Sequence, residues 1–583
     1  MRRSFFGRRR ELLDVDGAVT LELAATERCA HARALLIALT ASVLTVALIG
    51  GTAVRLDGMS RKHTVEHDEV ISYLAAAGHE RAFERATKGG MTGRWVPAST
   101  WQSLLKPDAL LPLTRISGDL GHTDNHPPLY FWLLHLWTVA FGFRLHDGIA
   151  LNIVLAAGTT LALFGLALNA LRNPVEAALV ALVWAVSAGA VRATLMVRHY
   201  ELFALVTVLF VWATIAFTRA GHPPRWRHSI AYAAATTAGA LTHYHFVIVL
   251  SGGALFAAAR LGRRREWPRL WRLVAAAIAG LVVFVAIEPW FLDSVRREHR
   301  QQAGGLTWAG FLHRQWVART SLSSYFGFAT SRGKAFKGDV RRLLEPVSRG
   351  YLGPRTTLVL VVATAMLLVL AAPRGRAALR RYVRTIDTRG LFVLWFLVWI
   401  GGGTVALYLA FESPPYAMMA RYLAAVWPFM AFVPVLLGRL LKRPGMVMVA
   451  LYALLILLPA SHDLALSYRV GRAGPTAALA GAHSVVIDTT DRGDLPRAFV
   501  SLPPTARVFV DPARALPAAS PAWLSFLRPG DLYIDSRSET DAADRSARVA
   551  VLDVLRQRFT LERAPSIWGF GQLYLLVSRR NHP

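Results

Sequence analysis

The chain has 583 residues, 54% of them hydrophobic and only 18% charged, with a formal net charge of +29. Soluble domains carry nearer a quarter of charged residues, so the composition excludes an ordinary soluble protein and points to an integral membrane protein with soluble parts attached. The positive charge does not point to a nucleic-acid groove, because the arginines crowd into short gaps between apolar segments, as at Arg260, Arg263, Arg264 and Arg265 or at Arg374, Arg376, Arg380 and Arg381. That is the loop pattern of a multispanning protein whose basic loops stay inside.

Residues 1–32 read as a cytosolic tail. Arg2-Arg3 resembles the start of an export signal, but Glu11, Asp14, Asp16, Glu22 and Glu27 stand where an apolar core would follow. Cys29 is the only cysteine, so no intramolecular disulfide is possible. Runs long and apolar enough to span are expected at 33–54, 148–170, 174–191, 200–218, 229–241, 244–260, 272–292, 356–372, 390–411, 422–438 and 444–460, about eleven spans in all. Residues 127–143 could make a twelfth. A crossing there would turn the loops at 219–228 and 260–271, with Arg219, Arg225, Arg227 and the larger arginine cluster, to the outside. Laying 127–143 along the outer surface keeps every basic loop inside, and Tyr130, Trp132, His135 and Trp137 suit an interfacial helix.

This topology leaves outer pieces at 55–147, 293–355 and 461–583. In the last, the apolar runs Val485–Ile487, Val508–Val510, Leu532–Ile534 and Leu573–Val577 read as strands, and Asp541–Phe559 has helical periodicity. The expected architecture is therefore an all-α polytopic membrane domain over 33–460 with a small α/β extracytoplasmic domain over 461–583. The N-terminus is expected in the cytosol.

Five clusters share the outer face once the spans are set. They are Asp68-Glu69, Asp124-Asn125-His126-Pro127-Pro128, Arg198-His199-Tyr200-Glu201, Thr242-His243-Tyr244-His245, and the stretch from Glu412 to Arg421-Tyr422. Carboxylates there can act as general base or hold a metal. Arginine binds phosphate through two parallel hydrogen bonds, and Tyr and His add neutral donors. Together they suit a phosphate-linked donor, anchored in the bilayer, that is attacked by a nucleophile. Each cluster has a plainer reading as well. Asp68 can be a helix cap, Arg198 and Arg421 can be snorkelling anchors, and His243 and His245 can simply close a tight turn.

The Asp68-Glu69 pair followed by His126-Pro127-Pro128-Leu129-Tyr130-Phe131-Trp132, then Arg198-His199-Tyr200-Glu201-Leu202, Leu241-Thr242-His243-Tyr244 and Arg421-Tyr422-Leu423 with Pro428, resembles the GT-C superfamily of polyprenyl-phosphate-dependent glycosyltransferases. The nearest likeness is to bacterial protein O-mannosyltransferases (glycosyltransferase family 39) and the aminoarabinose transferase of lipid A. The resemblance covers about 33–460 in order and leaves out the tail. It implies a GT-C fold in the cytoplasmic membrane, an inverting transfer, and a polyprenyl-phosphate-linked sugar as donor. Asp68 would be the catalytic base and Glu69 would position acceptor or donor sugar. His126 would sit at the mouth, and Arg198, Tyr200, His243, Tyr244, Arg421 and Tyr422 would hold the lipid phosphate. Glu201 departs from the small or apolar residue expected there and would be a second acid or a variant contact. The Asp-x-Asp of metal-using relatives is not found, so no cofactor is expected, with a divalent metal as the alternative. Rival functions are a lipid-linked substrate flippase and a catalytically inactive scaffold.

Overall fold

The structure, a computed structural model, describes residues 4–294 apart from 63–64, 125, 145 and 220–224, and then 393, 395–404, 424–440, 444–453, 479–489, 495–511, 521–536, 542–564 and 572–579. The span expected at 356–372 and nearly all of the outer piece 293–355 lie outside the described residues, as do parts of the spans at 390–411, 422–438 and 444–460.

Among the described residues, five helices are long and apolar enough to cross a membrane. The first, α1 (Ser4–Arg61), is apolar over Ala30–Arg61. It runs past the expected end at residue 54 and continues as helix back through the residues expected as the tail, to Ser4. The others are α7 (Asp147–Leu171), α10 (Tyr200–Phe217), α12 (Phe246–Arg263) and α13 (Trp267–Ile287). Between α10 and α12 lies α11 (Trp226–Thr242), Ala-rich and packed on α10 and α13.

The single span expected at 174–191 is broken. Asn173 starts α8 (Pro174–Val186) by accepting from the Val175 and Glu176 amides at 3.0 and 3.3 Å, with proline in the first turn. At Ser187 the backbone turns extended, and its hydroxyl accepts from the Ala190 amide at 3.3 Å to open α9 (Ala188–Thr194). A cap-forming serine in an apolar run competes with the helix it interrupts. Residues 127–143 hold α6 (Leu129–Phe141), whose 13 residues rise about 20 Å, short of a hydrocarbon core of about 30 Å.

Helices approach closely where small residues allow it. A Cβ on Gly280 of α13 would stand 2.5 Å from the Ala233 carbonyl oxygen and 2.9 Å from the Thr236 Cβ of α11, and the Thr237 hydroxyl donates to the Gly280 carbonyl at 2.8 Å. Gly280→Ala should therefore force these two helices apart and lower stability by about 1–3 kcal/mol, read as an earlier thermal transition of the detergent-solubilised protein.

The chain before α6 is built from α2 (His67–Ala77), α3 (Glu80–Arg85), strand β1 (Trp95–Pro97), α4 (Ala98–Ser103) and α5 (Leu113–Thr123). The tail supplies β2 (Ser484–Asp488), β3 (Arg507–Asp511), β4 (Leu532–Asp535), β5 (Phe559–Ala564) and β6 (Gln572–Arg579). They form one sheet in the order β1-β3-β2-β4-β6-β5, parallel through β3-β2-β4 and antiparallel elsewhere. The central strands are buried along both faces, as parallel strands require.

The sheet is not confined to the tail, because β1 pairs with β3 from a segment some four hundred residues earlier. Trp101 of α4 stacks on Phe499 at 4.6 Å, and the Gln102 amide donates to the Phe499 and Leu502 carbonyls, both at 2.8 Å. The helix Leu495–Val500 rests on α2 and α4, and Arg497 donates to the Val65 carbonyl at 3.1 Å. The tail thereby braces the segment that carries Asp68.

Candidate active site

The helix α2 starts at Glu66, whose amide donates to the Glu69 carboxylate at 2.7 Å. Asp68 is thus inside the first turn and is not the cap. Residues four apart share a helix face, and Asp68 and Ser72 both turn toward Arg198. Arg198 Nη2 lies 3.8 Å from Asp68 Oδ1 and Nη1 lies 3.4 Å from the Ser72 hydroxyl. Asp68 keeps 22% of its side chain exposed against 6% for Arg198. Its carboxylate therefore faces an opening while the guanidinium forms the wall.

Glu69, about 100° round the helix, turns inward. It is 1% exposed, ion-paired with Lys62 at the end of α1, and accepts from the Val197 amide at 2.9 Å. Lys62 also donates to the Leu195 carbonyl at 2.7 Å. The Asn152 amide on α7 holds the Thr194 and Met196 carbonyls at 3.1 and 2.6 Å. The loop between α9 and α10 is thus tied from two sides immediately before Arg198. The expectation that Glu69 contacts substrate gives way to a buried position, because adjacent residues on a helix cannot share a face.

Glu201, expected as a second acid of the site, is likewise elsewhere. It is fully buried among the helices and accepts from Thr159 at 3.2 Å and Thr194 at 3.0 Å. The Thr194 hydroxyl also accepts from Arg55 Nε at 2.9 Å, so Glu201 closes a polar chain that links α1, α9 and α10. Tyr200 is buried in the helical core with its ring 4.6 Å from that of His199. Tyr244 is half-buried, its ring 5.3 Å from Phe291. Arg421 and Tyr422 lie outside the described residues.

Beside Arg198 four imidazoles meet. The ring of His199 lies 4.9 Å from His126 and 4.7 Å from His243, and His243 lies 4.5 Å from His245. Asp124 holds His126 Nδ1 at 2.7 Å. His243 Nδ1 accepts from the His245 amide at 3.2 Å, so its neutral form carries the proton on Nε2. His199 is fully buried, yet neither of its ring nitrogens has a hydrogen-bond partner among the described residues, and neither has Arg198 Nε. Burial first, and then the neighbouring imidazoles and Arg198, hold His199 and His243 well below the ordinary histidine value. His199 and His245 stand in the sequence-based clusters without a role assigned to either, and Lys62 is absent from them. Lys62 was hidden because α1 runs seven residues past the expected span end.

Behind Asp124, Glu80 is buried and accepts from the Thr123 hydroxyl at 2.6 Å. Burial, and next the Asp124 charge, push its carboxyl up to about 8 from 4.5. A folded-state value raised above the unfolded one means that the folded protein holds the extra proton, so stability falls as pH rises through that window. The contribution is complete below about 4.5, and its loss is complete above about 8. The melting temperature should accordingly drop between pH 5 and 8.5, and Glu80→Gln should flatten that slope. Among the described residues, no group of three or more His, Cys, Asp or Glu could hold a metal ion.

Residues 125–290 match the family model described as dolichyl-phosphate-mannose-protein mannosyltransferase. That stretch holds His126, Arg198, Tyr200, Glu201, His243 and Tyr244, and the match bears out the GT-C resemblance carried by those residues. Two crystal structures of ArnT from Cupriavidus metallidurans are similar to the chain at 15% identity. One, bound to undecaprenyl phosphate, covers 93% of this chain and 97% of its own at a TM-score of 0.46. The other, in the apo state, covers 93% and 98% at a TM-score of 0.48. No curated protein sequence matches the chain.

Proposed function

We propose, with the glycosyltransferase match as premise, that this multi-pass membrane protein is an inverting enzyme. It moves a sugar from a polyprenyl-phosphate donor to a hydroxyl or amine acceptor at the outer face of the bacterial cytoplasmic membrane. The observation that carries the reading is the meeting of Asp68 with Arg198, 3.8 Å apart across 130 residues of sequence, beside a wall of imidazoles. A partly exposed carboxylate next to a buried guanidinium is a base and an anion site side by side.

In the proposed step the acceptor proton passes to Asp68 and the acceptor heteroatom bonds to the anomeric carbon. The bond from that carbon to the phosphate oxygen breaks, and its electron pair stays on the phosphate. A single displacement inverts the anomeric centre. Arg198, His126, His243 and Tyr244 receive the phosphate, where fixed donors act on the charge that develops on the leaving oxygen. Arg421 and Tyr422 are proposed to complete that set. Glu69, tied to Lys62 and the Val197 amide, positions Asp68 and Arg198, and Tyr200 and Glu201 support the helix behind them. The C-terminal unit, 461–583, is proposed to lie outside the membrane with the active site, and the N-terminus inside.

The test is release of polyprenyl phosphate by the purified protein in lipid nanodiscs, supplied with polyprenyl-phosphate sugars and cell-envelope acceptors. Acceptor-dependent release is expected. Transbilayer movement of the donor without release would overturn the reading in favour of a flippase.

A further inference from the structure

The proposed function needs an anion site, but it does not by itself use a buried imidazole without partners. A buried polar group lacking a hydrogen bond keeps the full cost of its lost hydration and so invites a ligand that supplies a partner. His199 is such a group, with both ring nitrogens open among the described residues. It stands at the centre of a contiguous set in which His126 and His243 flank it at 4.9 and 4.7 Å and His245 continues from His243 at 4.5 Å. Its chain neighbour Arg198 has a further unpartnered donor in Nε. Resting on the phosphate reading above, we infer that His199 and the three imidazoles around it form a proton-accepting wall of the phosphate site, which takes up a proton from solvent when a phosphomonoester dianion occupies it.

The chemistry of the transfer gives this a purpose. The donor is a phosphodiester with one negative charge, whereas the departing polyprenyl phosphate carries about two near neutral pH. The acceptor proton goes to Asp68, so a wall that stays neutral would leave the added phosphate charge to Arg198 and the proposed Arg421, with no new positive charge to match it. The groups facing His199 are Arg198 before it, His126 held by Asp124, and His243 with His245. Asp68 and Glu80 stand nearby through Arg198. With the site empty, burial, then the neighbouring imidazoles and the guanidinium, favour the neutral forms of His199 and His243. An arriving dianion reverses the sign of the local field and favours one imidazolium. Linkage then requires binding to tighten as pH falls, by up to about tenfold per pH unit if a whole proton is taken up.

Farnesyl phosphate is a suitable probe, a phosphomonoester with a short polyprenyl chain. Its binding to the full-length protein in nanodiscs would be followed by calorimetry at pH 7.5–8.5, where the probe stays a dianion, in two buffers of different ionisation heat. Net proton uptake by the wild-type protein is expected, with affinity rising several-fold from pH 8.5 to 7.5. The uptake should shrink in His199→Asn and in His243→Asn. Binding with no uptake, or the same uptake in both variants, overturns the inference and leaves the glycosyltransferase reading intact. No binding at all overturns the phosphate site and this inference together. Absence of uptake in the wild-type protein decides against the inference even if a variant fails to fold, and uptake retained in Glu80→Gln excludes that carboxyl as its source.

Discussion

Asp68→Asn is expected to lower sugar transfer by about 10²–10⁴-fold, the usual contribution of a positioned general base, while leaving polyprenyl phosphate binding within a few-fold of wild type. The amide keeps the size of the side chain and its place in the first turn of α2, so the helix start set by Glu66 and Glu69 survives. What it loses is the ability to take the acceptor proton. Arg198 keeps its contact with the Ser72 hydroxyl and remains free to meet phosphate. The measurement is parallel: initial rates of transfer, and equilibrium binding of the lipid phosphate, on the same preparation. Full activity in the variant would remove Asp68 from the chemistry. A matching loss of lipid binding would make it a structural residue.

The second large effect is expected at Lys62, away from any substrate. Lys62 and Glu69 are 3% and 1% exposed, and removing one partner of a buried ion pair typically costs about 3–5 kcal/mol because the other charge is left behind. Lys62→Met should therefore lower the thermal transition steeply and free the loop before Arg198, which Lys62 holds through the Leu195 carbonyl. The double variant Lys62→Met/Glu69→Leu leaves no stranded charge, so much of the stability should return. Transfer should stay low in the double variant, because the Val197 amide has lost its acceptor and Arg198 its fixed backbone. Recovery of both stability and activity would show that the pair has no positioning role.

Much of the membrane architecture was legible in the chain because a bilayer imposes its demands locally. An apolar run of sufficient length and a surplus of arginine in short loops are read from composition alone, and α7, α10, α12 and α13 stand where those signals put them. The clustering of His126, Arg198 and His243 was legible for the same reason: each sits at the end of an apolar run, and alternating runs bring alternate ends together. Four of the five described strands of the tail were marked by short apolar runs that lie within them, whereas the charged β5, Phe559–Ala564, was not.

Other features only the tertiary structure decided. Asp68 and Glu69 are chemically alike and adjacent, and the roughly 100° between them separates a partly exposed carboxylate from a buried tie. Glu201 follows Arg198 and Tyr200 closely enough to suggest a shared site, yet its side chain points into the helices toward Thr194 and Arg55. Trp95–Pro97 shows no strand signal of its own and becomes β1 because β3 offers an unpaired edge. His199 was one more residue in an Arg-His-Tyr run until two other segments placed three imidazoles around it. Sequence determines what a bilayer or a short repeat enforces locally, whereas the direction of a single side chain depends on partners supplied from a hundred residues away.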